Sequence, residues 1–139
     1  MSRIEVRYEG GDRLRMAVRG HEIVLDQPVE DGGGDLGPTP TELFVGGLAA
    51  CVGFYAERFL RRHGLPLDGL AVECEFSFST DRPARVSEVE LRVLLPAGFP
   101  DERREGLRAV VEHCTVHNSI RQAPEVRIEL ASGEGAPSR

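Results

Sequence analysis

From Leu43 through Ala56 the chain carries no charged residue, and this run constrains the fold more than any other stretch. Several helix-start signals precede it. Thr39 suits the N-cap, and Pro40 suits the first helical position, where a missing N–H costs nothing. Glu42 falls three residues after Thr39, the spacing of a capping box. At the far end, Arg58, Arg61, Arg62 and His63 suit the negative end of the helix dipole. Gly64 then suits the C′ position, with Pro66 following. These signals predict a helix from about Pro40 to His63. A helix that is apolar all round is expected to be buried on every side. The charge-free run is shorter than the roughly 20 residues that cross a bilayer. A core helix of a soluble domain is therefore expected, or one buried between two subunits. Gly46 and Gly47 each weaken a helix by about 1 kcal/mol relative to Ala, so close packing is expected there.

Around this helix the pattern is that of strands. Ile4, Val6 and Tyr8 alternate with Arg3, Glu5, Arg7 and Glu9 over residues 3–9. Gly10-Gly11-Asp12 signals a tight turn, after which Leu14, Met16 and Val18 alternate with Arg13, Arg15 and Ala17. A third short strand is expected at 21–25. The loop Asp31-Gly32-Gly33-Gly34-Asp35 lacks the Gly-Lys-Ser/Thr that a phosphate cradle needs, so it reads as the approach to the helix. After the helix, Leu70, Val72, Cys74, Phe76 and Phe78 alternate with polar residues. A partner strand near 86–95 follows the turn Thr80-Asp81-Arg82-Pro83. Asp101 can cap a helix bearing Leu107, Val110, Val111 and Cys114 at i, i+3, i+4 and i+7. Thr115 can cap a short further turn to about Arg121, ahead of Pro124. Val126, Ile128 and Leu130 predict a closing strand. The expected order is β-β-β-α-β-β-α-(short α)-β, one α+β domain over residues 1–131 with a frayed tail at 132–139. So long a buried helix in so small a domain points to a dimer.

Composition excludes some functions. The net charge is −6 with no basic run, which argues against nucleic acid and anionic membrane as partners. All 17 basic residues are arginine, so no lysine Schiff base can form. Met1-Ser2-Arg3-Ile4-Glu5 has no apolar leader pattern, and a cytoplasmic protein is expected. The three cysteines are far apart, which favours free or redox-active thiols over a disulfide framework.

Cys74 falls on the apolar face of an alternating strand and reads as packing. Cys51 and Cys114 occupy core positions too, yet chemistry is open to both. Small residues surround Cys51 in sequence. Cys114 lies at a helix break, where backbone N–H groups favour the thiolate. His113 and His117 are near in sequence but suit an exposed, idle role. Cys114-Thr115-Val116-His117 is half of a zinc pattern. No second pair completes it, so no zinc site is expected.

The pattern Gly37-Pro38-x-Pro40-x-Glu42-Leu43, then Leu48-Ala49-Ala50-Cys51, and later Cys114-x-Val116-x-Asn118-Ser119 resembles the OsmC/Ohr family of osmotically inducible and organic-hydroperoxide-resistance proteins. The resemblance spans about residues 3–130. It implies an intertwined homodimer with antiparallel sheets wrapped around two central helices. It also implies that Cys51 attacks an organic hydroperoxide and becomes a sulfenic acid. Cys114 then resolves it as an intrasubunit disulfide, a dithiol of lipoyl type or similar reduces the bridge, and the site, at the dimer interface, needs no metal or bound cofactor. In the family an N-terminal Arg and an acid near the helix start polarise the site. Glu42 and Arg19 are the supporting residues carried over, with Arg13 and Arg15 as further candidates for the cation. The family's acid in its peroxidase branches directly follows the proline at the Pro40 position. Here Thr41 stands there, with Glu42 one place later. At about 100° per residue, Glu42 points away from Cys51 on an ideal helix. The rival function is a non-enzymatic dimer that binds a small ligand or senses oxidants, with structural thiols.

Overall fold

The computed structural model describes residues 2–132. Three antiparallel strands open the chain: β1 (Glu5–Gly10), β2 (Arg13–Val18) and β3 (His21–Leu25), paired in that order. Tyr8 stands opposite Leu14, and Leu14 opposite Leu25. The long helix α1 (Pro40–Arg62) follows. A second sheet pairs β4 (Ala71–Phe78) with β5 (Val86–Leu94), Cys74 facing Leu91 across the ladder. Helices α2 (Arg104–Val111) and α3 (Thr115–Arg121) complete the fold.

Both ends of α1 are built as their sequence predicts. The Glu42 amide donates to Thr39 Oγ1 (3.0 Å), and the Thr39 amide donates to Glu42 Oε1 (2.8 Å). At the other end Gly64 takes a left-handed φ of 65°. Its amide donates to the Arg61 carbonyl, and the Leu65 amide donates to Leu60, which satisfies carbonyls the helix would otherwise leave open.

The arch from β3 to α1 is fixed by Asp26, a buried carboxylate. It accepts the amides of Gln27 (2.7 Å) and Leu36 (3.1 Å). Burial pushes the Asp26 carboxyl up. Backbone amides of Gln27, Leu36 and Gly34 and the charge of Arg13 outweigh it, and the net direction is down. The Asp26 amide in turn donates to Pro38 at 3.1 Å. The chain passes so close at Gly37 that a Cβ there would sit on the Val24 carbonyl.

The core has two parts along one stripe of α1. Ala56, Phe59 and Leu60 enclose Leu107 of α2, while Leu48 and Val52 enclose Cys114. The stripe follows helical spacing from Val45 to Leu60, and it packs on the β4–β5 sheet, α2 and α3.

Three expectations change. First, α1 is not buried all round: Phe44, Phe54, Gly46 and Gly47 are exposed, and a Cβ on either glycine would meet nothing within 4 Å in this chain. At 23 residues, α1 also has the length and composition of a membrane span. Its packed stripe and the charges at Glu57, Arg58, Arg61 and Arg62 fit a core helix better. Second, β1 is exposed from Glu5 to Glu9, and among the described residues its sheet makes its main contacts within itself. Third, residues 125–130 form no strand. A strand needs a ladder, and the described sheets are β1–β2–β3 and β4–β5; Val126, Ile128 and Leu130 stand 73%, 85% and 95% exposed. Residues 133–139 of the expected tail lie outside the described residues.

Gly37→Ala is expected to cost at least about 2 kcal/mol, since the neighbour it meets is backbone that cannot swing aside. Thr39→Ala should cost about 1 kcal/mol through the lost cap. Urea denaturation of the two variants beside the parent checks both values and their order.

Candidate active site

Cys51 lies in the middle of α1, half-buried, on the edge of the stripe that holds Leu48 and Val52. Cys114 is fully buried at the N-cap of α3, with φ −68° and ψ 155°. The helix break is therefore one residue earlier than its sequence suggests: Cys114 caps, and Thr115 is the first helical residue. Both thiols belong to one apolar cluster with Tyr55, Val111 and Val116. They are unbridged.

Burial pushes the Cys114 thiol up, and Cys51 adds to this through a hydrogen bond and through charge. The amides of His117 and Val116 at the start of α3 pull the other way. They aim at the sulfur without closing a formal capping hydrogen bond. The expected preference of a helix N-terminus for thiolate is thus present, but desolvation wins and the net direction is up. Cys114 is built to remain a neutral thiol at neutral pH.

Cys74 stands apart, half-buried on the inner face of β4. Burial and then the Glu75 charge push its thiol up. It packs as its periodicity suggests and lies outside the cluster that holds the other two.

The supporting residues are not assembled within one chain. The Glu42 carboxylate is engaged by the Thr39 amide in the helix cap. Arg15 is held by Glu9 and by Glu22 on the first sheet. Arg13 donates to the Glu9 carbonyl at 3.3 Å and faces Asp26. Arg19 sits at the tip of the β2–β3 turn with a φ of 48°, exposed. That sheet has its main contacts within itself. His113, just past the end of α2, has its Nδ1 2.8 Å from the Ala109 carbonyl of that helix. His117 lines a groove of about 460 Å³ between α1, β5 and α2, which neither Cys51 nor Cys114 lines. Among the described residues no three His, Cys, Asp or Glu side chains gather where they could hold a metal ion.

One feature of the site is absent from the sequence reading. Tyr55 Oη and Thr115 Oγ1 are 2.8 Å apart, joining α1 to α3 directly beside the thiols. The available signal was the spacing: Tyr55 lies four residues beyond Cys51, and so on the same face one turn along.

The buried state of Cys114 has a pH signature. Folding raises its pKa, so the unfolded chain gives up this proton at a lower pH than the native chain. The stabilising contribution is complete below about pH 8.5, the ordinary thiol value, and is lost as pH rises toward the folded value. Melting temperature should therefore fall between pH 8 and 10 more steeply in the parent than in Cys114→Ala. Parallel melts across that range test it.

Comparison with known proteins places this arrangement. The profile of the family described as OsmC-like protein matches residues 32–129. No curated protein matches the sequence. Among solved structures, one named as an osmotic stress induced and detoxification response protein of Psychrobacter arcticus 273-4 superposes with a TM-score of 0.77. It is 26% identical, over 86% of this chain and 88% of that one. The OsmC-like protein of Mycoplasma pneumoniae gives 0.74 at 20% identity, over 88% and 89% of the two chains. OhrB of Bacillus subtilis, an organic hydroperoxide resistance protein, gives 0.62 at 22% identity, over 88% and 92%. The last two likenesses concern the fold alone.

Proposed function

Because this chain belongs to the OsmC-like family, we propose that it is a thiol-dependent peroxidase that reduces organic hydroperoxides, acting as a homodimer in the cytoplasm. The observation that supports this reading is the meeting of Cys51 and Cys114 in one apolar cluster, with Cys74 elsewhere. The Cys51 thiolate attacks the hydroperoxide and the O–O bond breaks. The alcohol leaves with a proton, and Cys51 becomes a sulfenic acid. Cys114 then attacks the sulfenic sulfur. An S–S bond forms, the S–O bond breaks, and the Cys114 proton leaves with the hydroxyl as water. A dithiol, of lipoyl type or similar, returns the bridge to two thiols. Apolar surroundings favour alkyl hydroperoxides over strongly hydrated hydrogen peroxide.

The dimer is supported by what the chain leaves open. Phe44 and Phe54 on α1, Ile4 just before β1, Val6 and Tyr8 on the first sheet, and Val126, Ile128 and Leu130 near the C-terminus are all exposed. Apolar surface on this scale marks an interface. A second copy covers α1 and the exposed side chains of Val126, Ile128 and Leu130. It also brings a first sheet toward Cys51. Because Arg15 is held by two carboxylates, Arg19 is the first arginine to test as the partner of the thiolate.

A second reading rests on the helix cap. With Thr41 where the family's peroxidases carry their acid and Glu42 bound to Thr39, the site lacks an acid beside Cys51 within the chain. This favours a non-enzymatic dimer that binds a small ligand or senses oxidants.

The two readings part in one experiment. Reduced protein is treated with about one equivalent of an organic hydroperoxide per subunit, the stoichiometry of one sulfenic step, and then mapped by mass. Rapid formation of a Cys51–Cys114 bridge is expected, lost in Cys51→Ser and retained in Cys74→Ser. Slow oxidation without that bridge, or equal activity in all three single variants, favours the second reading. Sedimentation should give twice the chain mass of 15.3 kDa; a monomer at micromolar concentration would remove the proposed cover of α1.

A further inference from the structure

We propose that Tyr55 is a positioning residue for disulfide closure, its hydroxyl bond to Thr115 holding Cys114 against Cys51. This rests on the peroxidase reading for its use in turnover, though not for its geometry. Cys51 and Tyr55 stand one turn apart on the same face of α1. Cys114 and Thr115 are successive residues at the start of α3. The two elements therefore meet at two adjacent points, thiol to thiol and hydroxyl to hydroxyl, the latter at 2.8 Å.

The second point matters because α3 is only seven residues long and contributes no buried residue of its own. So short a helix has little intrinsic stability. The loop before it, Glu112–Cys114, turns through the carbonyls of Arg108, Val110 and Val111. Thr115 is further tied by its own carbonyl, which accepts the Ser119 hydroxyl at 2.9 Å. The Tyr55 hydroxyl is the hydrogen-bonding side chain that α1 offers to this turn. A disulfide also demands a narrow separation of the two residues. Looseness of even an ångström at the N-cap of α3 lowers the fraction of time the sulfurs can react.

The Tyr55 hydroxyl bonds Thr115, next in the chain to Cys114, so the loss of that bond is read at the step that Cys114 performs. The effect falls on the second step, where Cys114 must reach the oxidised sulfur. A delayed closure leaves the sulfenic acid exposed to a second hydroperoxide, which carries it to sulfinic acid.

The test reads closure without needing peroxidase activity. Reduced protein is equilibrated in glutathione redox buffers, where one oxidised glutathione and the two protein thiols give the bridge and two reduced glutathiones. The effective concentration of Cys51 and Cys114 is obtained for the parent, Tyr55→Phe, Thr115→Val and Thr115→Ser. Loss of one net hydrogen bond is expected to lower it about threefold to tenfold in Tyr55→Phe and Thr115→Val. Thr115→Ser, which keeps the hydroxyl, should match the parent. Combining Tyr55→Phe with Thr115→Val should add little to either alone. Under excess organic hydroperoxide, Tyr55→Phe should accumulate more sulfinic acid relative to disulfide than the parent.

Parental effective concentration in Tyr55→Phe, or equal losses in Thr115→Ser and Thr115→Val, overturns the assignment. So does a parent that forms no intramolecular bridge in any of the buffers. A parent that bridges in glutathione but ignores hydroperoxide leaves the positioning role standing and removes the peroxidase instead.

Discussion

The fold depends on covering one apolar helix. A helix with no charge over four turns must lose its apolar surface to something, and a domain of this size has few layers to offer. The chain spends its second sheet, α2 and α3 on one stripe from Val45 to Leu60. Each large side chain fully buried there contributes roughly 1.5–3 kcal/mol, so α2 and α3 have no comparable alternative place to go. Leu107 brings α2 to the C-terminal half of α1, and Cys114 brings α3 to the middle. Contact between the two thiols is thus a by-product of core packing. The same contact makes both chemistry and plain burial available to them.

The site draws its character from opposing effects on one sulfur. The amides opening α3 favour a charged Cys114, while complete burial and the neighbouring Cys51 disfavour it more. A thiol held neutral is a poor first nucleophile and a ready proton donor to a departing hydroxyl. The asymmetry between Cys51, half-exposed on a helix, and Cys114, sealed at a cap, matches a division into attacking and resolving roles. A similar balance acts at Asp26, where backbone amides outweigh burial and keep a carboxylate charged inside the arch. That arch sets where α1 begins, and so where Cys51 stands.

Much of the scaffold was legible because its signals are local. The capping box of Thr39 and Glu42, the Gly64 stop and the alternation of β4 and β5 act over at most a few residues. Other features were misplaced for the opposite reason. The alternation of Val126, Ile128 and Leu130 is that of a strand, but a strand exists only with a ladder, and this segment belongs to neither of the described sheets. Val6 and Tyr8 likewise alternate correctly on β1, yet both stand exposed. Both segments carry a pattern suited to burial against something beyond one copy.

The sequence by itself determined the helix ends, the hairpin, the strand face that carries Cys74 and the family, through the motifs around Cys51 and Cys114. Short-range hydrogen bonds and side-chain periodicity are sufficient for these. Only the tertiary structure decided which stripe of α1 is buried, that Cys114 itself caps α3, and that Tyr55 meets Thr115 across sixty positions of chain. It also showed Glu42 spent on the helix cap and Arg15 held between Glu9 and Glu22. Such contacts depend on how separate elements dock, and docking is set by the summed burial of many side chains rather than by any local pattern.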